Sequence, residues 1–313
     1  IVLVFFIVMS IVSKNRDGLL DINVLLLVFS ARDIDFKKLL GTFSLATFLV
    51  LCLTIFASQK GIISNMFMNA DGGYRFSLGF NYVSFASQRL FFALCSYLMF
   101  RGKRISYLEL LALLLATIYM YQQTSTTSPF YLSILILIYV LFSIKIFKKD
   151  FIIDNLLIKK TSNYGFILAL VIILYFCFYS SGNLFHFVDQ FTHNRLRLSV
   201  SGFQNFGVSW LGQPISFSTL DIFGNFTSNY NFIDSSFVQL LVIDGLIVSA
   251  FMMFVLTKMM GYFISIKKDI VLACIGIMII HGMFDPQMLV LRYSPLVLFI
   301  SRLFIMNEDA KIE

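Results

Sequence analysis

Apolar residues run in long unbroken blocks along this chain, and the polar ones are gathered between them. Ten blocks stand out: Ile1–Val12, Gly18–Ser30, Leu39–Ala57, Tyr82–Phe100, Tyr107–Tyr121, Phe130–Phe147, Tyr164–Ser180, Ser236–Leu256, Ile270–Met283 and Leu289–Met306. Most approach the roughly twenty apolar residues that carry a helix across a bilayer. The second and ninth are shorter, which predicts tilted or partly embedded helices. The first begins with the chain, so its helix is expected to start upstream. Continuous rather than alternating apolarity argues against a membrane β-barrel. Pro129 opens its block, where a missing N–H costs nothing. The stretch Asp150–Lys160 is amphipathic and flanked by lysines, which predicts a segment lying along the membrane surface. One interval breaks the rhythm. From 182 to 235 the chain is polar and Phe-rich and holds its single tryptophan, Trp210. A connection that long in a helical protein is usually functional or disordered, and its aromatic content argues for order.

Composition agrees. The 313 residues are 58% hydrophobic and 13% charged, with a mean hydropathy of +0.85, which excludes an ordinary soluble domain. The net charge of +7 does not point to nucleic acid, because of where the charges lie. One set of alternate connections holds Arg32, Lys37, Lys38, Arg101, Lys103, Arg104, Lys145, Lys148, Lys149, Lys159, Lys160, Lys258, Lys267 and Lys268, together with the C-terminal tail. The other holds only Lys14, Arg16, Lys60, Arg75, Arg195, Arg197 and Arg292. By the positive-inside rule the first set is cytoplasmic and the 182–235 interval faces outward. Cys52, Cys95, Cys177 and Cys274 all sit in apolar blocks without a metal-ligand spacing, so they read as small buried hydrophobes. No metal site and no nucleotide-binding motif is present in the sequence.

Few residues remain that could carry chemistry. Arg195 and Arg197 form a close cationic pair on a face with few cations, and guanidinium groups suit phosphate oxygens; a solvated surface pair is the plainer reading. Asp234 stands where the long interval enters the next helix. Its plain role is an N-cap, and its second reading is a general base for a hydroxyl. Arg89 and Asp244 lie about two turns inside their blocks, and buried ionisable groups are rarely decorative; they are candidate partners of each other. His281 lies near the outer end of its block, close in the chain to Asp285 and Arg292, where a structural hydrogen bond competes with a catalytic role.

Several stretches, taken in order, resemble a known family. Tyr74-Arg75-Phe76-Ser77-Leu78-Gly79-Phe80, Thr192-His193-Asn194-Arg195-Leu196, Leu211-Gly212-Gln213-Pro214-Ile215, Ile233-Asp234-Ser235-Ser236-Phe237 and Asp244-Gly245 are similar to the signature elements of bacterial Wzy-type polysaccharide polymerases. The set spans most of the chain. It departs where the family often has His-Pro-Asn after Leu-Gly-Phe, since Asn81-Tyr82-Val83 stands there, and where many members carry Ser-Arg, since Thr124–Thr127 stands there.

The expected fold is an all-α polytopic integral membrane protein. It is read as one transmembrane domain over 1–313, with about ten transmembrane segments and one long structured extracellular loop over 182–235. The resemblance implies a multi-pass protein of the bacterial plasma membrane. It would polymerise undecaprenyl-diphosphate-linked oligosaccharide repeat units into extracellular polysaccharide such as capsule or O-antigen. Asp234 and His281 would be catalytic, and Arg195, Arg197, Arg75 and Arg292 would meet the pyrophosphate. Arg89 and Asp244 would be buried structural groups. No cofactor, metal or nucleic acid is expected; the bilayer and a chain-length regulator protein are the implied partners. A ligase of similar architecture and a flippase for the same lipid-linked sugars remain as alternatives.

Overall fold

A computed structural model of the chain describes residues 2–13, 19, 21–70, 73–219, 227–228 and 230–304. Lys14, Arg16, Gly18, Met306 and the C-terminal tail, named above, lie outside these residues, as does Ile1. The helices in chain order are α1 (Val2–Ser13), α2 (Ile22–Ser30), α3 (Phe36–Gln59), α4 (Phe85–Arg101), α5 (Tyr107–Thr124), α6 (Thr127–Val140), α7 (Phe151–Asp154), α8 (Leu156–Asn163), α9 (Gly165–Phe178), α10 (Gly182–Phe191), α11 (Arg195–Phe206), α12 (Ser236–Gln239), α13 (Gly245–Ser265) and α14 (Asp269–Met283). A two-stranded hairpin, β1 (Phe67–Ala70) and β2 (Gly73–Phe76), stands between α3 and α4.

Local chemistry fixes several of these ends. Asp35 accepts the Lys38 N–H (2.8 Å) and starts α3. Ser106 and Glu109 form a reciprocal capping box at α5, which satisfies two N–H groups that the helix itself leaves unpaired. Among the described residues, three helices are long and apolar enough to cross a membrane: Phe36–Gln59, Thr127–Ile146 and Ser236–Ser265. A fourth is reached if α8 and α9, bent by 71° at their junction, are counted as one. That bend sits at the end of the amphipathic stretch read above as a surface segment.

The chain divides into two compact units. The second, Ile34–Lys159 with Phe263–His281, is organised on α4, which packs against α3, α5 and α6. Ala86, Phe91, Phe92 and Leu94 of α4 are fully buried, so this helix, buried around most of its circumference, forms the core of the unit. Within the same unit the Asp269 carboxylate at the start of α14 accepts the Ile152 and Ile153 N–H groups (2.9 and 3.1 Å) and the Tyr139 hydroxyl. Cys95 and Cys274 are buried in this unit and their thiols hydrogen-bond. Cys52 is exposed, contrary to the expectation that all four cysteines are buried.

The first unit comprises Ile1–Asp33, Lys160–Tyr262 and Gly282–Lys311. Here α11 packs on α9, α10 and α12, and α2 packs on the 3₁₀ turns of Pro295–Phe304. Two expectations change in this unit. The interval 182–235 is not loop throughout, because its first half folds into α10 and α11. The tenth apolar block is not one α-helix: 3₁₀ turns run over Pro286–Leu289 and Pro295–Phe304. Each begins with a proline, which cannot donate the backbone bond a continuing α-helix would need.

Candidate functional site

Three chain segments of the first unit meet around Arg195, the first residue of α11. Its Nη1 donates to the Phe284 carbonyl (2.6 Å) and pairs with the Asp285 carboxylate. The side chains are 20% and 2% exposed respectively, so this is a largely desolvated ion pair. Ser236 locks the two acid-bearing segments together. Its N–H and hydroxyl both donate to the Asp285 carbonyl (3.2 and 2.8 Å), and its Oγ accepts the Met288 N–H (3.2 Å). Asp234, two residues before Ser236, feels the charges of both Arg195 and Asp285.

The helix cap is Ser235 rather than Asp234. Ser235 Oγ accepts the Val238 N–H (3.4 Å) and the helix starts at Ser236. The plain reading of Asp234 as the capping residue is therefore corrected, for a local reason: Ser caps as well as Asp, and Ser235 holds the extended conformation that the position needs. The Asp234 carboxylate is left to its electrostatic surroundings. It keeps part of its surface open but follows the fully buried Ile233. Burial pushes its pKa from the ordinary 3.8 up to about 6; Arg195 opposes the rise and Asp285 adds to it. Burial likewise lifts Asp285 to about 6, against the charge and hydrogen bond of Arg195 and a hydrogen bond with Gln287. Chemically, the cluster offers a proton acceptor active near neutrality and a cation held in fixed orientation.

Arg197 does not join it. In α11 it stands two positions from Arg195, and residues so spaced point away from each other on a helix. Arg197 instead pairs through Nη2 with Asp189 (3.1 Å), while its N–H donates to the other oxygen of the same carboxylate (2.9 Å). Its side chain is 61% exposed. The two arginines thus serve different carboxylates rather than forming a single fork.

Beneath this cluster the helix that starts at Ser236 is interrupted. Leu240–Asp244 is wound as a π-helix, and Gly245 leaves helical geometry altogether (φ +85°). The Leu211-Gly212-Gln213 stretch fills the break. Gln213 donates from its backbone N–H to the Ile243 carbonyl (2.9 Å) and from Nε2 to the Val242 and Phe206 carbonyls (3.0 Å each). Leu246 and Ile247 N–H groups donate to the Ser209 and Trp210 carbonyls (3.0 and 3.1 Å). A Cβ on Gly245 would lie 2.2 Å from the Gly212 nitrogen. Both glycines are thus required by backbone touching backbone, and the glutamine replaces hydrogen bonds the broken helix lost. Asp244, the last residue of the π-helix, is buried.

The remaining candidates have the following surroundings within their own units. Arg292 is exposed in the first unit, over the Tyr293 ring (5.3 Å). In the second unit Arg75 donates to the Thr124 carbonyl (2.9 Å) and Thr126 Oγ1 (3.4 Å), which ties the hairpin to the end of α5. His281, also in that unit, is buried, packs on the rings of Phe91 and Phe92, and hydrogen-bonds Ser128 through Nδ1 (3.2 Å). Arg89 of the second unit lies over Phe80 (5.4 Å). Residues not singled out from sequence as site groups are Asp285, Ser236, Asp189 and Gln213. Asp285 and Gln213 carried a signal, an acid after the His281 block and a Gln inside a motif; Asp189 and Ser236 carried little. Among the described residues no group of three or more metal-ligating side chains occurs. Comparison with protein-family models, characterised proteins and solved structures finds no match to this chain.

Proposed function

We propose that this protein is a membrane glycosyltransferase that polymerises oligosaccharide units carried on undecaprenyl diphosphate, at the outer face of the bacterial plasma membrane. The observation that carries the reading is the Arg195–Asp234–Asp285 cluster, built where two of the polymerase-like motifs meet the Phe284–Asp285 segment. In the reaction an acceptor hydroxyl attacks the anomeric carbon of the growing chain, the bond from that carbon to the diphosphate oxygen breaks, and the lipid diphosphate leaves. Asp234 takes the hydroxyl proton. Arg195, oriented by Asp285, meets the negative charge that builds on the leaving group. The donor is already activated, so the reading calls on no nucleotide. The carrier is a lipid, and α10, next in the chain to this cluster, presents Phe187 and Phe191 largely exposed while burying Asp189, as an interfacial helix would. The full reading includes about ten membrane crossings and a ligand-capping outer segment over 182–235. A ligase would use the same donor chemistry on a different acceptor.

One observation favours a transporter instead. Lipid-sugar flippases are expected to use interrupted helices with a charge near the break, and Asp244 sits at such a break. Against it, the break is filled by Gln213 and its neighbours from the same chain, leaving those carbonyls committed. Deleting the gene and resolving surface glycans on a gel separates the readings. The polymerase reading predicts single repeat units on the surface with no long chains. Loss of all surface repeat units would overturn it in favour of transport.

A further inference from the structure

Within the second unit a cavity of about 280 Å³ opens between the start of α3, the end of α4 and the turn into α14. Its lining carries six cations, Lys37, Arg101, Lys103, Arg104, Lys267 and Lys268, against one carboxylate, Asp269. That carboxylate already accepts three hydrogen bonds, from Tyr139, Ile152 and Ile153. Arg101 is matched by Glu109 (2.7 Å) and Lys103 by Asp150 (2.7 Å), which leaves Lys37, Arg104 and Lys267 as further cations facing Asp269 in the lining. The first turns of α3 and α14 both contribute to the lining, which adds the positive ends of two helix dipoles. Lys267 holds a left-handed backbone (φ +53°), a conformation uncommon for a residue with a side chain, and it sets two successive lysines at the lining. Phe36, Leu40, Met99 and Phe263 supply an apolar wall.

We infer that this pocket binds the phosphate headgroup of an anionic membrane lipid, with the acyl chain against the apolar wall. The inference is independent of the glycan chemistry proposed above: it concerns a different unit and a different ligand. Basic pockets between membrane helices recognise such headgroups through the same charge attraction, and an arginine or lysine lining discriminates anionic from zwitterionic lipids. A phosphate group could also arrive as a soluble ion, and the test separates the two sources.

The purified, delipidated protein is titrated with phosphatidylglycerol or acyl-matched phosphatidylcholine, and bound lipid is counted by native mass spectrometry. Inorganic phosphate is added in a separate arm. The triple variant Lys37→Gln, Arg104→Gln, Lys267→Gln is compared with a control of equal charge loss, Lys148→Gln, Lys149→Gln, Lys159→Gln. The three pocket positions are exposed or half-buried, so these changes leave the core intact, and a matched elution profile verifies it. The expected result is at least tenfold preference for phosphatidylglycerol, lost in the pocket variant, kept in the control, and resistant to millimolar phosphate. Equal retention of both lipids, or equal loss in both triple variants, would overturn the inference. Displacement of the lipid by millimolar phosphate would overturn the lipid source and assign the pocket to a soluble ion.

Discussion

Burial brings Asp234 and Asp285 toward neutrality against the pull of Arg195, and each member of the cluster should therefore be readable in the pH dependence of activity. With Asp234 as proton acceptor, activity rises with pH along a limb set by the cluster, near 6. Removing the Asp285 charge takes away a repulsion that raises the Asp234 pKa. Asp285→Asn should shift the limb to lower pH, measured per molecule of protein, because the lost ion pair also lowers abundance. Arg195→Gln removes the attraction that opposes the rise, and its residual activity should need a higher pH. A limb that stays in place in both variants would remove Asp234 from the proton transfer. The same values bear on stability. Both carboxyls bind a proton more tightly folded than unfolded, so the stability they contribute is complete below about pH 4 and is lost as pH rises through about 6. Thermal denaturation of the wild type should weaken from pH 4.5 to 7.5 by the equivalent of a few kcal/mol, at about 1.4 kcal/mol per unit of pKa shift. Asp285→Asn should show a shallower fall.

At the scale of elements, the break at Gly245 is the feature that ties motifs distant in sequence into one structure. Gly245→Ala brings a Cβ to 2.2 Å from backbone at a positive φ, so it should cost at least the ~1–3 kcal/mol of such strained positions. Gln213→Ala leaves the Val242 and Phe206 carbonyls without that donor, a loss of about 1–3 kcal/mol per buried group. Chemical denaturation or heat stability in detergent checks both, and a neutral Gly245→Ala would contradict the close approach. These elements also mark where sequence was readable. The Gly and Gln of Leu211–Gln213 and the Gly after Asp244 were visible as motifs, but that they answer each other was not, because a contact across about thirty residues leaves no local pattern. The hairpin was missed although Asp71-Gly72, the two residues between β1 and β2, is a familiar tight-turn pair. Helices α10 and α11 were hidden by polar composition. Their amphipathic faces each bury one side only, and a search for continuous apolar runs passes over that period.

At the scale of the whole chain, the helical and apolar character followed directly from the hydrophobic blocks, and among the described residues three helices, or four with the bent pair, are long and apolar enough to span a bilayer. Block length alone misjudged Leu289–Met306, where Pro295 bars an α-helix from running through from Leu289 and 3₁₀ turns follow. The site was half legible. Arg195 and Asp234 stood out by charge and position, whereas Asp285 and Ser236 acquire their meaning only from the fold that brings them together. The central claim is that this cluster transfers glycan chains between lipid carriers with Asp234 as the base. Its most direct test is purified protein in lipid vesicles supplied with undecaprenyl-diphosphate-linked repeat units from the source organism, with product length resolved on a gel. The account predicts long chains from the wild type and only unextended repeat units from Asp234→Asn at equal protein abundance, since Ser235 still caps the helix. Long chains of wild-type length and rate from the Asn variant would contradict it.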